Sequence, residues 1–258
     1  MATFSMFGPG ASNTPVVSQA PMAVAAEKTD DSRPAKRSRF DYNDGLDVLV
    51  GEDEVKFVLH QAIVCTTSLF FRAICNGKWK ESEERLLRLP EVDPEMFSIY
   101  LGFLYNRKVD MREERSADMK SLKTVTGEAL IHLHDRAIHA YALGEMVQDA
   151  AFRNAVVDEM RFVWTQPGQV GHQRSIQTLC ATVSHRSKLM RYFVDRWAVA
   201  DYSDCSFRDF YKHLPTNFVL ELACVHTEER DMHVADRRVS ARDRCFYHDH
   251  ESEADKCK

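Results

Sequence analysis

The chain has 258 residues and a formal charge of −5, from 34 Lys plus Arg against 39 Asp plus Glu; 44 % of the residues are hydrophobic and 28 % charged. That length suits one or two domains and can bury a sizeable core without staples. The mildly acidic balance disfavours a broad basic face for nucleic acid, and no run approaches the ~18 apolar residues of a membrane span, so a soluble protein with neither direct partner is expected.

Residues 1 to about 40 are rich in Ala, Ser, Pro and Gly and show no apolar period, the composition of a disordered segment. The segment does not read as a signal peptide. No basic residue precedes Lys28, and Gly8, Pro9, Gly10, Pro15 and Pro21 break up its apolar stretch. Near its end, Lys36, Arg37 and Arg39 form a compact basic cluster with the shape of a short nuclear import signal, or of a basic linker exposed to solvent.

Order is expected from about Leu46. Leu46, Val48 and Val50 alternate with Asp47 and Leu49, Gly51-Glu52-Asp53-Glu54 makes a polar turn, and Val55, Phe57 and Leu59 alternate again: a β-hairpin. In the run that follows, Ala62, Ile63, Leu69, Phe70, Phe71 and Ile74 recur at helical spacings, for one or two helices. Leu87 and Leu89 supply a short third strand. Asp93-Pro94-Glu95 starts a helix, because Asp can cap free amides and Pro fits the first helical position. That helix is apolar nearly all round and should lie buried between layers.

From Arg107 to about Thr126 the charge density rises and the pattern lapses, which reads as a surface insertion. Helices resume at Glu128, with Ala137, Tyr141 and Met146 on one and Phe152, Ala155, Val156 and Met160 on the next. Gln166-Pro167-Gly168-Gln169 breaks the pattern. Three further helices are expected: Ser175 to Ser184; His185 to Val199, with Leu189, Phe193 and Trp197 on one face; and Thr216 to His226, with Phe218, Leu222 and Val225 on one face. Strands first and helices last suggest an α+β class.

One stretch resembles the BTB (POZ) domain. The pattern is carried by Asp47 and Val48, His60 opening a helix, Ser68, Phe70 and Phe71 before Arg72-Ala73, Lys80-Glu81-Ser82, Leu89-Pro90, Asp93-Pro94-Glu95 with Phe97, and Leu104-Tyr105. It covers about residues 44 to 110, and a weaker likeness to fungal members without a second named domain runs to about 160 through YALGEMVQDAAFRNAVVDEM. The resemblance implies a small β-sheet flanked by helices, followed by an all-helical extension. The expected organisation is a disordered segment over 1–40, the BTB domain over 41–160 with an insertion at about 108–126, the helical extension over 161–227 and a polar Cys/His-containing tail over 228–258. Two departures stand out. The family often has Gly where this chain has Arg107, so a different turn is expected, and the insertion after Lys108 is longer than usual.

What the resemblance implies about function is a protein–protein interaction module, self-associating as a homodimer, and no enzyme. In members that recruit a cullin scaffold, an apolar-x-Glu triplet precedes the third strand; Trp79 and Glu81 fall there, and Trp is enriched among residues that dominate interfaces. A loop-covering Trp79 and a solvated Glu81 are the plain alternative. The leading function is thus a substrate adaptor for a cullin-type ubiquitin ligase, with the helical extension as the substrate-recognition surface. The alternative is a nuclear scaffold or transcriptional cofactor, and the location is nucleus or cytoplasm. Asp47 and His60 could suggest a catalytic pair but belong to the fold signature with Ser68, Phe71, Pro94, Phe97 and Tyr105.

The seven cysteines, Cys65, Cys75, Cys180, Cys205, Cys224, Cys245 and Cys257, make an odd number and no repeated CxxC, which reads as reduced thiols with several in the core. In the tail, Cys245, His248, His250 and Cys257 make C-x2-H-x-H-x6-C, four side chains with zinc-ligand chemistry but unfamiliar spacing. A polar tail with a solvated His pair, or a short segment docked on the helices, explains it as simply, so no metal or cofactor is assigned. A metal-dependent enzyme built on that tail is the reading from another class. Charge pairs such as Asp243-Arg244 read as solvated surface.

Overall fold

In the computed structural model, alternation along Gly45–Val50 (β1) sends Leu46, Val48 and Val50 to one buried face. β1 pairs antiparallel with Val55–His60 (β2), Asp47 opposite Val58, and parallel with Leu86–Leu89 (β3), so the sheet order is β2-β1-β3. The residues described are 45–76, 85–111, 128–163, 172–199, 211–228, 242–250 and 256–257. At the hairpin turn Gly51 has φ 78°, and a Cβ there would stand 3.1 Å from Pro94, so the position suits glycine twice over.

Two short helices follow, Gln61–Thr67 (α1) and Leu69–Asn76 (α2). Ser68 between them is buried; its hydroxyl accepts from Phe71 N at 3.1 Å, capping α2, and donates to Val147 O at 2.6 Å. Pro94–Asn106 (α3) starts as expected, with Asp93 Oδ1 accepting from Glu95 N at 2.6 Å. It buries Met96, Phe97, Ile99, Tyr100, Phe103 and Leu104, and Phe57 meets Phe97 edge-on with centroids 5.0 Å apart.

The helix ends at Arg107, whose backbone is left-handed at φ 56°, ψ 25° and whose N–H donates to Phe103 O at 2.8 Å. The expectation of a different turn because glycine is missing is therefore corrected. Arg107 takes the conformation that glycine favours, with its guanidinium 5.8 Å from the Phe103 ring centroid. The surface insertion also begins later than expected. Val109 and Met111 are buried core residues, because the chain leaving α3 still runs across apolar surface.

Glu128–Met146 (α4), Ala150–Val163 (α5), Gln173–Thr182 (α6), Lys188–Ala198 (α7) and Thr216–Glu228 (α8) complete the eight α-helices among the described residues. Helix α7 starts later than expected because Ser187 accepts from Met190 N at 3.0 Å and sets the cap. Leu189, Phe193 and Trp197 on α7 and Phe218, Leu222 and Val225 on α8 are buried as the helical period requires, whereas Met146 is exposed at the end of α4. One continuous hydrophobic cluster runs from Leu46 on β1 to Tyr247, so sheet and helical extension share a core, and residues 40–258 form one compact unit. None of the six described cysteines is fully buried, which corrects the expectation of core thiols; Cys65, Cys75 and Cys180 pack at the rim of the core instead. No described helix is long and apolar enough to cross a membrane.

His134 on α4 is wholly buried against Phe193, rings 5.6 Å apart. Burial, and then the charge of Arg196, lower its pKa to about 3. The unfolded chain takes up this proton near pH 6.5 and the folded one does not, so stability is full above pH 6.5 and falls as the pH drops below it. At pH 5 the loss from His134 alone is expected to be about 2 kcal/mol. Urea titrations of wild type and His134→Leu at pH 5 and 7 check it: the variant should lose less stability between the two pH values.

Candidate functional site

The candidate interaction surface starts at β2. Among the described residues β2 pairs only with β1 and no described strand covers its outer edge, and Val55 and Val58 on β2 are exposed, Val58 at 60 %. An open edge bearing apolar side chains is a template for a second chain. Leu69 and Tyr105 add exposed apolar surface on α2 and α3.

His60 and Asp47 have structural partners. His60 Nδ1 lies 2.9 Å from the Tyr105 hydroxyl, tying the start of α1 to the end of α3, and Asp47 forms an ion pair of 2.6 Å with Lys56 across the hairpin. Phe71 and Phe97 are core, and Pro94 opens α3. Trp79 and Glu81, and the basic residues Lys36, Arg37 and Arg39, lie outside the described residues.

One residue at the junction of sheet and helical half carried no expectation. Asp149 is wholly buried between α4 and α5. Its Oδ1 accepts from Phe152 N at 2.9 Å and caps α5, and its Oδ2 accepts from the Thr67 hydroxyl at 2.5 Å and the Tyr100 hydroxyl at 3.1 Å. An Asp just before an apolar helical run is a legible cap signal; its contacts to α1 and α3 are not.

The second concentration of chemistry is the C-terminal segment, and of its two readings the described residues 242–250 match the docked one. Tyr247 is wholly buried and His248 nearly so. The segment docks because α5 and α7 present fixed polar partners to it. Arg153 grips the Asp249 carboxylate with Nε at 3.0 Å and Nη2 at 2.9 Å, and Asn154 exchanges two hydrogen bonds with the Asp249 backbone, at 2.9 and 2.8 Å. The Tyr247 hydroxyl donates to Asp195 Oδ2 at 2.8 Å. Asp243 and Arg244 are likewise engaged. Asp243 accepts from Cys245 N at 3.2 Å at the start of the 3₁₀ turn Arg244–Tyr247, and Arg244 Nε donates to Asp158 at 2.9 Å.

His248 sits at the centre, Nε2 3.0 Å from Asp158 Oδ1 and Nδ1 2.9 Å from Cys257 Sγ. Burial alone would raise the Asp158 pKa; the hydrogen bonds from His248 and Arg244 outweigh it and hold the carboxyl below its usual range. Asn154 and Asp158 both belong to the AFRNAVVDEM segment, so the polar positions of that helix were legible while their partners were not. Beside this cluster lies a groove of about 560 Å³, lined among others by Arg72, Phe103, Arg107 and Asn154.

The sequence profile of the BTB/POZ domain matches residues 40–126. This chain carries a BTB/POZ domain. Among curated proteins, Kelch-like protein 40 of Xenopus laevis is 23 % identical over 86 residues, 33 % of this chain and 14 % of that relative's length. The likeness thus lies in one segment of each protein. Within the matched residues 40–126 the described residues give the small three-stranded sheet and helices α1 to α3, and α4 to α8 come after them in the chain. A BTB/POZ domain is a protein-interaction module, and the open β2 edge and the exposed residues on α2 and α3 belong to it.

Proposed function

We propose that this chain acts as a self-associating adaptor that joins a protein substrate to a cullin-type ubiquitin ligase. The observation that carries the reading is the BTB/POZ domain over residues 40–126, whose sequence holds Trp79 and Glu81 shortly before β3. An aromatic side chain that fills a partner's groove beside a carboxylate that meets a donor is a combination suited to dominate an interface. The open β2 edge supports self-association, and the exposed Phe162 on α5 and Leu220 on α8 give the helical extension apolar anchors for a substrate.

Capture on an immobilised cullin N-terminal domain tests the adaptor role. Wild type is expected to be retained, and the double variant Trp79→Ala, Glu81→Ala to lose at least about tenfold in affinity, the scale of one hot-spot residue. Equal capture of both would sink this loop as the contact. Truncating the extension is a poor test of substrate binding, because its helices belong to the shared core. Phe162→Asp and Leu220→Asp probe the surface without removing core. A second reading, a nuclear scaffold, rests on Lys36, Arg37 and Arg39; retention of a Lys36→Ala, Arg37→Ala, Arg39→Ala fusion in the nucleus at wild-type level would remove it.

A further inference from the structure

Four side chains of the C-terminal segment converge although twelve positions separate the first from the last. Cys245 starts the 3₁₀ turn, His248 and His250 follow on extended chain, and Cys257 returns from beyond. The Cys245 and Cys257 sulfurs and one ring nitrogen of His250 all lie within 4.8 Å of one another. His250 Nε2 is 3.9 Å and His248 Nδ1 2.9 Å from the Cys257 sulfur. With Zn–S of ~2.3 Å and Zn–N of ~2.0–2.1 Å, ligand atoms of a tetrahedral site stand about 3.3–3.8 Å apart, so Cys245, His250 and Cys257 would draw together around an ion, and His248, outside that triad, reaches it at Cys257.

The surroundings are those of a metal site. His248 presents Nδ1 to the cluster and its other nitrogen, Nε2, to the Asp158 carboxylate, the arrangement that fixes tautomer and ring orientation in carboxylate–histidine–metal triads. The Cys257 backbone N–H donates to Cys245 Sγ at 3.1 Å, which ties the two cysteines together. Asp158 is neutralised by Arg244. Two sulfurs and two imidazoles select zinc by ligand softness and geometry. We propose that Cys245, His248, His250 and Cys257 bind one Zn²⁺ as a closed tetrahedral site that clamps the C-terminal segment onto α5.

Binding converts two thiols and a hydrated Zn²⁺ into two zinc-bound thiolates and releases two protons, while both imidazoles bind neutral; the S₂N₂ centre then carries no net charge. With four protein ligands no position is left open for a substrate, so the role is structural. The clamp adds to the hydrogen bonds of Asp249 and Tyr247 and holds the rim of the groove beside Arg72 and Arg107. It is independent of the adaptor reading.

The test uses the full chain purified under reducing conditions from zinc-supplemented medium. Elemental analysis should give roughly one zinc per chain, and less than about a fifth of that in Cys257→Ser, while Cys224→Ser, at an exposed thiol on α8, keeps it. Metal-free wild type titrated with Co²⁺ should develop the visible bands of a tetrahedral thiolate–imidazole site, which reports on the site without any variant having to fold. No stoichiometric metal with no cobalt spectrum overturns the proposal. Full retention of zinc by Cys257→Ser also overturns it, as does a Cys245–Cys257 disulfide in the purified protein by non-reducing mass spectrometry.

Discussion

Asp149→Ala is expected to cost about 3–5 kcal/mol of stability, the scale of breaking a buried charged hydrogen-bond network. One side chain caps α5 through Phe152 N and takes hydroxyl hydrogens from Thr67 and Tyr100, in a fully buried setting. Loss of the cap alone accounts for ~1 kcal/mol. The remainder comes from the Tyr100 hydroxyl, left in the core without its acceptor, and from the space vacated. Burial, and next the Asp149 charge, raise the Tyr100 pKa far above its ordinary value, so the phenol stays protonated and donating. Asp149→Asn keeps an oxygen for the cap and should cost no more than about 2 kcal/mol. Urea unfolding with an unchanged m-value reads both. A cost below about 1 kcal/mol for the alanine variant would show that this junction does not hold α1, α3 and α5 together.

The reason Asp149 escaped the sequence reading is physical. Periodicity registers which face of an element is apolar, and it located β1, β2, β3 and the helices from α3 onward, because Leu46-Val48-Val50 and Leu189-Phe193-Trp197 each repeat at the period of their element. A cap is visible too, as at Asp93. What no local pattern contains is the second set of contacts: Thr67 lies 82 positions from Asp149 and Tyr100 lies 49. Arg107 shows the opposite limit. Glycine is the cheapest residue for a left-handed cap but not a required one, and the Phe103 ring under the guanidinium gives the arginine a compensating contact.

The C-terminal segment left two readings open, solvated or docked, for a related reason. Its charges obey no helical or strand period, and such composition usually belongs to solvated chain. Among the described residues, Asp249 meets Arg153, Arg244 meets Asp158 and Arg242 meets Asp195. Docking by discrete polar pairs leaves no amphipathic signature. The Cys/His spacing was legible as ligand chemistry; that α5 presents Asp158 to one of the histidines was not.

Tyr247→Ala is expected to cost about 4–5 kcal/mol, as for truncating a buried aromatic, and to do so from a position eleven residues before the last. The ring packs edge-on against Tyr192 with centroids 5.4 Å apart and lies 5.5 Å from the Arg161 guanidinium, and its hydroxyl reaches Asp195, itself almost fully buried. Burial raises the Asp195 pKa; the Tyr247 hydrogen bond and the charges of Arg191 and Arg242 counter that only in part. Removing the ring therefore opens a cavity and strips a donor from a buried carboxylate at once. Tyr247→Phe isolates the second effect and should cost about 1–3 kcal/mol, the value of a hydrogen bond to a charged group. A double-mutant cycle with Asp195→Asn measures their coupling, expected above ~0.5 kcal/mol for groups in contact. Because the core is continuous from β1 to Tyr247, the variant should unfold in one transition with a lowered midpoint. An unchanged midpoint would mean that the segment detaches before the rest of the fold and lies outside its cooperative unit.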